Sequence, residues 1–195
     1  PTFEIKGGIG TSSRKLPAKL GGWTVGVLAQ TNFGRRSQLT ISGVPVGKHL
    51  TSEAHFTNGE NPLDNDEGSL IVIIATDAPL LPHQLKRLAK RASLGMARTG
   101  SLGGNGSGDI YLAFSTANSR VANPASGIAQ VEALSNEHID PLLFSCVYAT
   151  EEAIINAMIA AETMTGRDGL TIKALPHDEL RRILNQYGRL INDLV

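Results

Sequence analysis

Ser107 lies in a seven-residue segment, 103–109, that contains four glycines and otherwise only Asn, Ser and Asp. A serine hydroxyl is a poor nucleophile at its own pKa and needs an adjacent base. A glycine-rich backbone adopts positive φ and allows other groups to approach it closely. The apolar run Ile110–Phe114 is of strand type, so Ser107 is predicted at the mouth of a strand. By itself a glycine cluster is a weak signal that more often marks an ordinary loop.

The elements that must position Ser107 follow from hydrophobic periodicity. Ser69–Ala75 is continuous and β-branched, which predicts a central strand, and Trp23–Thr31 is apolar enough for burial on both faces. Gly7–Arg14 is interpreted as a turn with a solvated Arg14, and periodicity alone indicates an α+β protein. The other predicted elements are a short strand at Gln38–Ile41, one helix from Pro82 through Met96, a helix over Leu142–Met164 and a final helix over Asp178–Leu194.

The composition gives no argument for a nucleic-acid or membrane partner. The 195 residues are 41% hydrophobic, and 18 basic side chains balance 18 acidic ones. The single Cys146 lies in an apolar run and is expected to be a buried packing residue. We find neither a signal peptide nor an apolar run that would predict a membrane span, so a cytoplasmic location is expected.

Two groups of polar side chains admit a structural as well as a functional interpretation. Asp77 follows a predicted strand. Its carboxylate is either catalytic, or it stabilises a turn or caps the next helix. The polar segment 48–68 contains possible metal ligands but lacks tight spacing, so a surface loop is favoured. These possible ligands are His49, Glu53, His55 and Glu60.

Five blocks in order resemble the L-aminopeptidase/D-esterase family, also called the self-processing β-aminopeptidases. The resemblance covers nearly all of the chain, and five blocks in register are hard to obtain by chance. The blocks are Lys6–Arg14, Gly43–Gly47, Ile73–Leu80, Asn105–Ile110 and Ala149–Ile154.

The resemblance implies a serine-type aminopeptidase that is an N-terminal-nucleophile hydrolase. In that family a precursor cuts its backbone before a Ser or Thr, and the freed residue becomes the nucleophile. The matching residue is Ser107, so the bond predicted to be cut is Gly106–Ser107. The freed α-amine has a reference pKa of about 7.7–8.0 and can serve as the base near neutral pH.

The resemblance also implies supporting residues. A carboxylate in the last block orients or polarises the nucleophile, and Glu151 is the first choice, although Glu151 and Glu152 are also compatible with two solvated helix glutamates. Asn32 is a candidate oxyanion donor, although a plain turn asparagine is the more common interpretation and the family's asparagine could instead match Gly68-Ser69. Further supporting residues are Asn105, Gly108, Asp109 and Thr150.

One position departs from some relatives, which carry a serine two residues before the glutamate. Ala149 stands at that position here. Thr150 or Ser145 is available to replace the missing hydroxyl.

The fold implied by the resemblance is a layered α/β/β/α sandwich. The family's opening block lies well inside its members, so residues 1–195 are expected to be one domain forming the later part of a longer precursor. Residues 1–106 would end the α-subunit and 107–195 would form the β-subunit. The family's oxyanion tyrosine and part of its pocket would lie in the absent N-terminal part, which is then a required partner.

The implied activity is hydrolysis of the N-terminal amide or ester bond of small peptides or amino-acid derivatives. It requires no metal or organic cofactor, and a homo-oligomer is expected. Two alternatives stay open. The first is a non-catalytic fragment or binding module of the same fold. The second is a Ser/His/Asp hydrolase, which is disfavoured because Gly108 directly follows Ser107 and the Gly-x-Ser-x-Gly elbow is absent.

Overall fold

The computed structural model describes residues 1–50, 68–122 and 127–191. These residues form one four-stranded sheet with helices on one face, and a short two-stranded hairpin. The strands are β1 (Ile9–Lys15), β2 (Thr24–Asn32), β3 (Ser69–Thr76), β4 (Ile110–Ser115), β5 (Met164–Thr165) and β6 (Thr171–Ile172). The helices are α1 (Pro82–Ala89), α2 (Ala92–Arg98), α3 (Asp140–Ile159) and α4 (His177–Gln186).

The sheet has the order β1-β2-β3-β4, with β3 and β4 parallel and the other pairs antiparallel. The parallel ladder begins where Ile71 faces Ile110. The end of β2 pairs with the beginning of β3, since Asn32 faces Ser69. The start of β3, the start of β4 and the end of β2 therefore lie side by side and form one edge of the sheet, which runs across the strand ends and not along an outer strand.

Alternation of side chains gives the sheet one buried and one open face. Val25, Val27 and Ala29 of β2 and Val72 and Ile74 of β3 are buried on the inner face. Their neighbours along β2 on the opposite side are partly buried or exposed. The expectation that β2 is buried on both faces is therefore wrong for the described residues, while the central position of β3 is confirmed.

The opposite face, which we call the outer sheet face, is apolar and open. Ile71, Ile110, Leu112 and Phe114 of β3 and β4 are 37%, 58%, 55% and 44% exposed. Ile9 of β1 lies in the same row as Ile71 and Ile110. Four large hydrophobic side chains of two adjacent strands thus form a contiguous apolar surface that no described residue covers.

The long helix α3 packs on the inner face over β1 and β2. Gly10 permits this close approach, because a Cβ there would lie 2.0 Å from the Ala153 carbonyl oxygen. By length and a mean hydropathy of 1.4, α3 would also suit a membrane span, contrary to the expectation that no such run exists. More than half of that hydrophobic stretch is buried within the protein, which accounts for its composition.

Helix α2 packs against α3, and α1 packs beside β4. The approach of α2 depends on Gly95, where a Cβ would lie 2.6 Å from both the Thr150 Cβ and the Val147 carbonyl oxygen. The segment predicted as one helix is divided at Lys90–Arg91. Both residues keep right-handed helical angles, and the division arises because the Arg91 N–H bonds to the Leu88 carbonyl, three residues back.

Two predicted elements in the first fifty residues are wrong. The predicted turn Gly7–Arg14 is mostly the edge strand β1, because small polar side chains alternate between α3 and the outer sheet face. The predicted strand Gln38–Ile41 is instead a 3₁₀ turn, Arg36–Gln38, followed by a tight turn in which Ile41 and Val44 exchange hydrogen bonds.

The two C-terminal helices are confirmed with different ends. Helix α3 begins two residues earlier and ends five residues earlier than predicted, and α4 begins at His177 and ends at Gln186. Neither His177 nor Asp178 caps α4, because the capping position is taken by Pro176. The last predicted residues of α4, from 192 on, lie outside the described part.

The contact at Gly95 yields a stability prediction. Gly95→Ala is expected to lower the free energy of unfolding by about 1–3 kcal/mol, since the added methyl overlaps α3 backbone and side-chain atoms. The control is Gly166→Ala, where an added Cβ meets only one atom at 3.8 Å. Thermal denaturation should show a lower midpoint for Gly95→Ala alone, and equal midpoints would contradict this packing.

Candidate active site

Ser107 lies in a turn just before β4. Its N–H donates to the Gly104 carbonyl oxygen at 3.0 Å, so the Gly106–Ser107 peptide is part of a closed backbone turn. Asn105 and Gly106 are exposed, whereas Ser107 is half-buried. Within 103–109 only Gly103 has a left-handed backbone, with φ of 63°. The Gly106–Ser107 bond, at which cleavage is predicted, therefore lies at the surface, and Ser107 is partly buried.

The start of β3 holds the residues that follow Ser107. The Gly108 N–H donates to the Ser69 Oγ at 3.1 Å, and the Leu70 N–H donates to Asp109 Oδ1 at 2.8 Å. A Cβ at Gly108 would lie 3.3 Å from the Ser69 Oγ, so a side chain there would press on this contact. These bonds join the serine segment to the adjacent strand just ahead of the regular ladder.

Asn32 lies at the same edge of the sheet as this segment. It is the last residue of β2 and pairs with Ser69, whose hydroxyl accepts from Gly108. Its side chain is exposed. The topology therefore brings Asn32 and Ser107 to one sheet edge, with Ser69 between them.

Glu151 belongs to a different polar group, centred on the end of α2. Arg98 donates a charge-assisted hydrogen bond to Glu151 and lies over the Tyr148 ring, with 5.3 Å from its guanidinium carbon to the ring centroid. The hydrogen bond raises the pKa of Arg98. The Glu151 side chain is only 12% exposed. It is therefore a partnered carboxylate and not a solvated one.

Glu152 has different partners from its neighbour. Its carboxylate accepts from the Ser12 hydroxyl and pairs with Arg14. The hydrogen bond from Ser12, with a further contribution from Arg14, lowers the pKa of Glu152 below its ordinary value. Arg14 was expected to be solvated, but it links β1 to α3. The last residues of β1 lie beside the turn of α3 that carries Glu152.

The two glutamates open onto a pocket of about 360 Å³, which we call the carboxylate pocket. Its two arginines are each engaged by a glutamate, so its four charges cancel formally. No hydrogen bond between described residues joins it to Ser107. Its lining residues are Arg14, Ser42, Arg98, Tyr148, Glu151, Glu152 and Ile155.

The hydroxyl candidates near the glutamates lie in the core. Ala149, Thr150 and Ser145 of α3 are all buried, with Thr150 packed against Gly95 of α2. Cys146 is buried as expected, and burial raises the pKa of its thiol to about 11. The thiol therefore stays protonated and is not a nucleophile near neutral pH.

Asp77 has a structural role. Its Oδ1 accepts the Thr24 N–H at 2.6 Å, which ties the end of β3 to the start of β2. This edge of the sheet is opposite to the edge that carries Ser107.

Two of the described histidines have hydrogen-bond partners other than Ser107. His49 bonds to the Tyr187 hydroxyl at 2.6 Å, and His177 contacts the Ile159 carbonyl oxygen at 3.1 Å. Across 1–50, 68–122 and 127–191, no group of three or more His, Cys, Asp or Glu side chains could hold a metal ion. Of the loop residues weighed as ligands, Glu53, His55 and Glu60 lie outside the described residues.

Comparison with known sequences now decides the family. The sequence profile of peptidase family S58 matches residues 1–172. The chain belongs to peptidase family S58. Over 198 residues it is 49% identical to the beta-peptidyl aminopeptidase BapA of Sphingosinicella microcystinivorans, covering 96% of this chain and 50% of that protein. The chain therefore spans about half the length of the curated relatives it matches.

Solved structures confirm the fold class of this S58 chain. The L-aminopeptidase D-Ala-esterase/amidase of Ochrobactrum anthropi, described as a prototype serine aminopeptidase and a variant of the Ntn hydrolase fold, is 46% identical with a TM-score of 0.84. The match covers 98% of this chain and 51% of that one. The PH0078 protein of Pyrococcus horikoshii OT3 has the same TM-score at 47% identity, covering 97% and 50% of the two chains.

Sequence reasoning missed several polar partners in the S58 chain. Arg98 and Ser12, which hold the two glutamates, are distant from them in sequence. Arg98 lies in no motif, and Ser12 lies in the first block of the resemblance without a role assigned to it. Tyr111 was predicted only as a strand residue. Its i, i+2 spacing from Asp109 places both side chains on one face of an extended chain, and this spacing could have predicted their contact.

The pKa of Glu152 provides a test of the β1–α3 contact. Ser12→Ala is expected to raise this pKa toward the ordinary value of 4.5, because the largest cause of its lowering is removed. A lowered carboxylate pKa stabilises the fold fully above the ordinary value, and the contribution is lost as pH falls through the folded value. An NMR titration of the Glu152 carboxyl measures the shift, with Ser13→Ala as the control. An unchanged Glu152 pKa in Ser12→Ala would contradict the contact.

Proposed function

We propose that this chain carries the self-cleavage site and the nucleophile of a serine-type, N-terminal-nucleophile aminopeptidase. The observation that carries the proposal is the placement of the Gly106–Ser107 bond. It lies in an exposed turn directly before β4, while the residues just after it are bonded to the start of β3. A bond so placed can be cut while the new terminus stays anchored to the sheet.

Self-cleavage proceeds by attack of the Ser107 Oγ on the carbonyl carbon of Gly106. The new Oγ–C bond replaces the C–N bond of the peptide, and the hydroxyl proton passes to the departing nitrogen, which becomes the α-amine of Ser107. Water then hydrolyses the ester, leaving a carboxyl group on Gly106 and restoring the Ser107 hydroxyl. No co-reactant other than water is needed.

The freed amine then serves as the base for the next reaction. It takes the proton of the Ser107 hydroxyl during attack on the substrate carbonyl and passes it to the leaving amine or alkoxide. This assignment needs no histidine, and no hydrogen bond between described residues joins a histidine to Ser107. That arrangement favours the N-terminal-nucleophile mechanism over a Ser/His/Asp triad.

Asn32 is the proposed side-chain donor to the oxyanion. An amide at the same sheet edge as the nucleophile can donate to the oxygen that becomes negative during attack. Its position opposite Ser69, whose hydroxyl accepts from Gly108, supports this role. Backbone N–H groups of the glycine segment are the accompanying donors.

Glu151 is proposed to orient the nucleophile region through Arg98. The carboxylate holds the last residue of α2, directly ahead of the segment 99–109 that carries Ser107. Thr150, buried beside Gly95, supports the same helix contact. The role is thus one of positioning.

The proposed substrates are small peptides or amino-acid amides and esters with a free amino terminus. The names of the relatives support this class, since they are a beta-peptidyl aminopeptidase and an L-aminopeptidase D-Ala-esterase/amidase. The remaining part of the same protein is the proposed partner that covers the outer sheet face and completes the pocket. The open apolar surface of β3 and β4 supports that role.

The nucleophile is tested by the intact mass of the complete protein as it is encoded, beside its Ser107→Ala variant. We expect two fragments from the wild type, the second beginning at Ser107, and one uncut chain from the variant, because the attacking hydroxyl is gone. Ser101→Ala is the matched control on the same segment and should still be cut. A single uncut wild-type chain would overturn the mechanism.

The two adjacent glutamates provide a matched pair of variants. Glu151→Gln is expected to slow self-cleavage by at least about tenfold, since a neutral amide holds Arg98 less strongly. Glu152→Gln alters the contact with Ser12 and Arg14 and should stay within about twofold of wild type. The rates come from a time course of intact mass. Equal rates of self-cleavage in the two variants would contradict the positioning role proposed for Glu151.

A further inference from the structure

The carboxylate of Asp109, two residues after Ser107, makes two hydrogen bonds to different parts of the fold. Its Oδ1 accepts the Leu70 N–H at 2.8 Å, and its Oδ2 accepts the Tyr111 hydroxyl at 3.1 Å. The Gly108 N–H donates to the Ser69 Oγ at 3.1 Å. We call Asp109, Tyr111 and Ser69 the Asp109 clamp.

The clamp acts where regular strand pairing has not yet begun. The β3–β4 ladder starts at Ile71 and Ile110, so Gly108 and Asp109 lie outside it. At this point the Leu70 N–H donates to a side chain, the Asp109 carboxylate. The segment beside Ser107 is therefore held by side-chain groups, and a change in one of them can loosen it without removing the ladder.

Tyr111 links the clamp to the helix layer. Its ring is partly buried against the core, and its hydroxyl also lies 3.7 Å from the Met96 sulfur of α2. Burial, followed by the negative charge of Asp109 and the hydrogen bond to it, raises the pKa of Tyr111. The phenol therefore remains a proton donor to Asp109 throughout the neutral range.

Cleavage changes what holds Ser107 in place. Before cleavage, Ser107 is constrained by its bond to Gly106 and by the turn to Gly104 on one side, and by Gly108 on the other. Cutting the Gly106–Ser107 bond removes the covalent constraint on the first side. Chain termini are poorly ordered unless they are tied down, and a nucleophile displaced by about 1 Å can lose on the order of 100-fold in rate.

We propose that Asp109, held by Tyr111, is a positioning residue that keeps Ser107 fixed against β3 during self-cleavage and after it. The proposal rests on Ser107 being the nucleophile. Asp109 does not touch the reacting atoms. It acts through the backbone of Gly108 and Ser107, and Ser69 provides the second anchor.

The test uses the complete protein with Tyr111→Phe and Asp109→Asn. Both changes preserve side-chain shape, and the first removes only one hydroxyl. We expect self-cleavage at least about tenfold slower in each. Once each variant is fully cut, kcat for L-alanine p-nitroanilide should fall at least about fivefold while KM stays within about twofold, since alignment and not binding is impaired.

The matched control is Tyr187→Phe, which removes a tyrosine hydroxyl bonded to His49 away from the serine segment. It should cleave and turn over substrate at the wild-type rate. Thermal midpoints should agree within a few degrees across wild type, Tyr111→Phe and Tyr187→Phe, which separates positioning from loss of fold. If Asp109→Asn fails to fold, Tyr111→Phe decides the question.

The outcomes separate the clamp from the proposed nucleophile. A wild-type protein that is cut before Ser107, with both variants cut and active at its rates, overturns the clamp and leaves the nucleophile in place. A raised KM with unchanged kcat also overturns it, because that result indicates substrate binding. An uncut wild-type protein overturns the nucleophile, and the clamp with it.

Discussion

The parallel pairing of β3 and β4 is the constraint on which the rest of this structure depends. It sets Ile71 opposite Ile110, and that register places Ser107 just outside the ladder beside the first residues of β3. Antiparallel pairing of β2 with β3 then brings Asn32 to the same edge. A one-residue slip of β4 would turn its side chains to the opposite faces and move Asp109 away from the Leu70 N–H.

The helix layer makes this register stable. A parallel connection requires a crossover, and α1 and α2 supply it between β3 and β4. Gly95 lets α2 press closely on α3, and Gly10 lets α3 press closely on β1. The α2–α3 contact also sets Arg98 beside Glu151. The same packing that closes the core thus also positions the polar groups of the carboxylate pocket.

Local sequence was enough to predict β3, β4, α3 and the family, because each rests on a continuous apolar pattern or a run of motif residues. It failed for β1, whose Gly, Ser and Thr residues look like a turn but pair with β2 because α3 covers them. It also failed for the partners of the glutamates. Arg98 lies 53 residues from Glu151 and Ser12 lies 140 from Glu152, and only packing brings them together.

The most direct test of the account is to map where a substrate acyl group is held on the mature protein. The complete protein would be mixed with a D-alanine ester, quenched in acid within the first turnovers, and digested for mass spectrometry. The account predicts an ester-linked acyl group on the peptide that begins at Ser107, on its hydroxyl. An acyl group on another residue, with Ser107 unmodified, would contradict it.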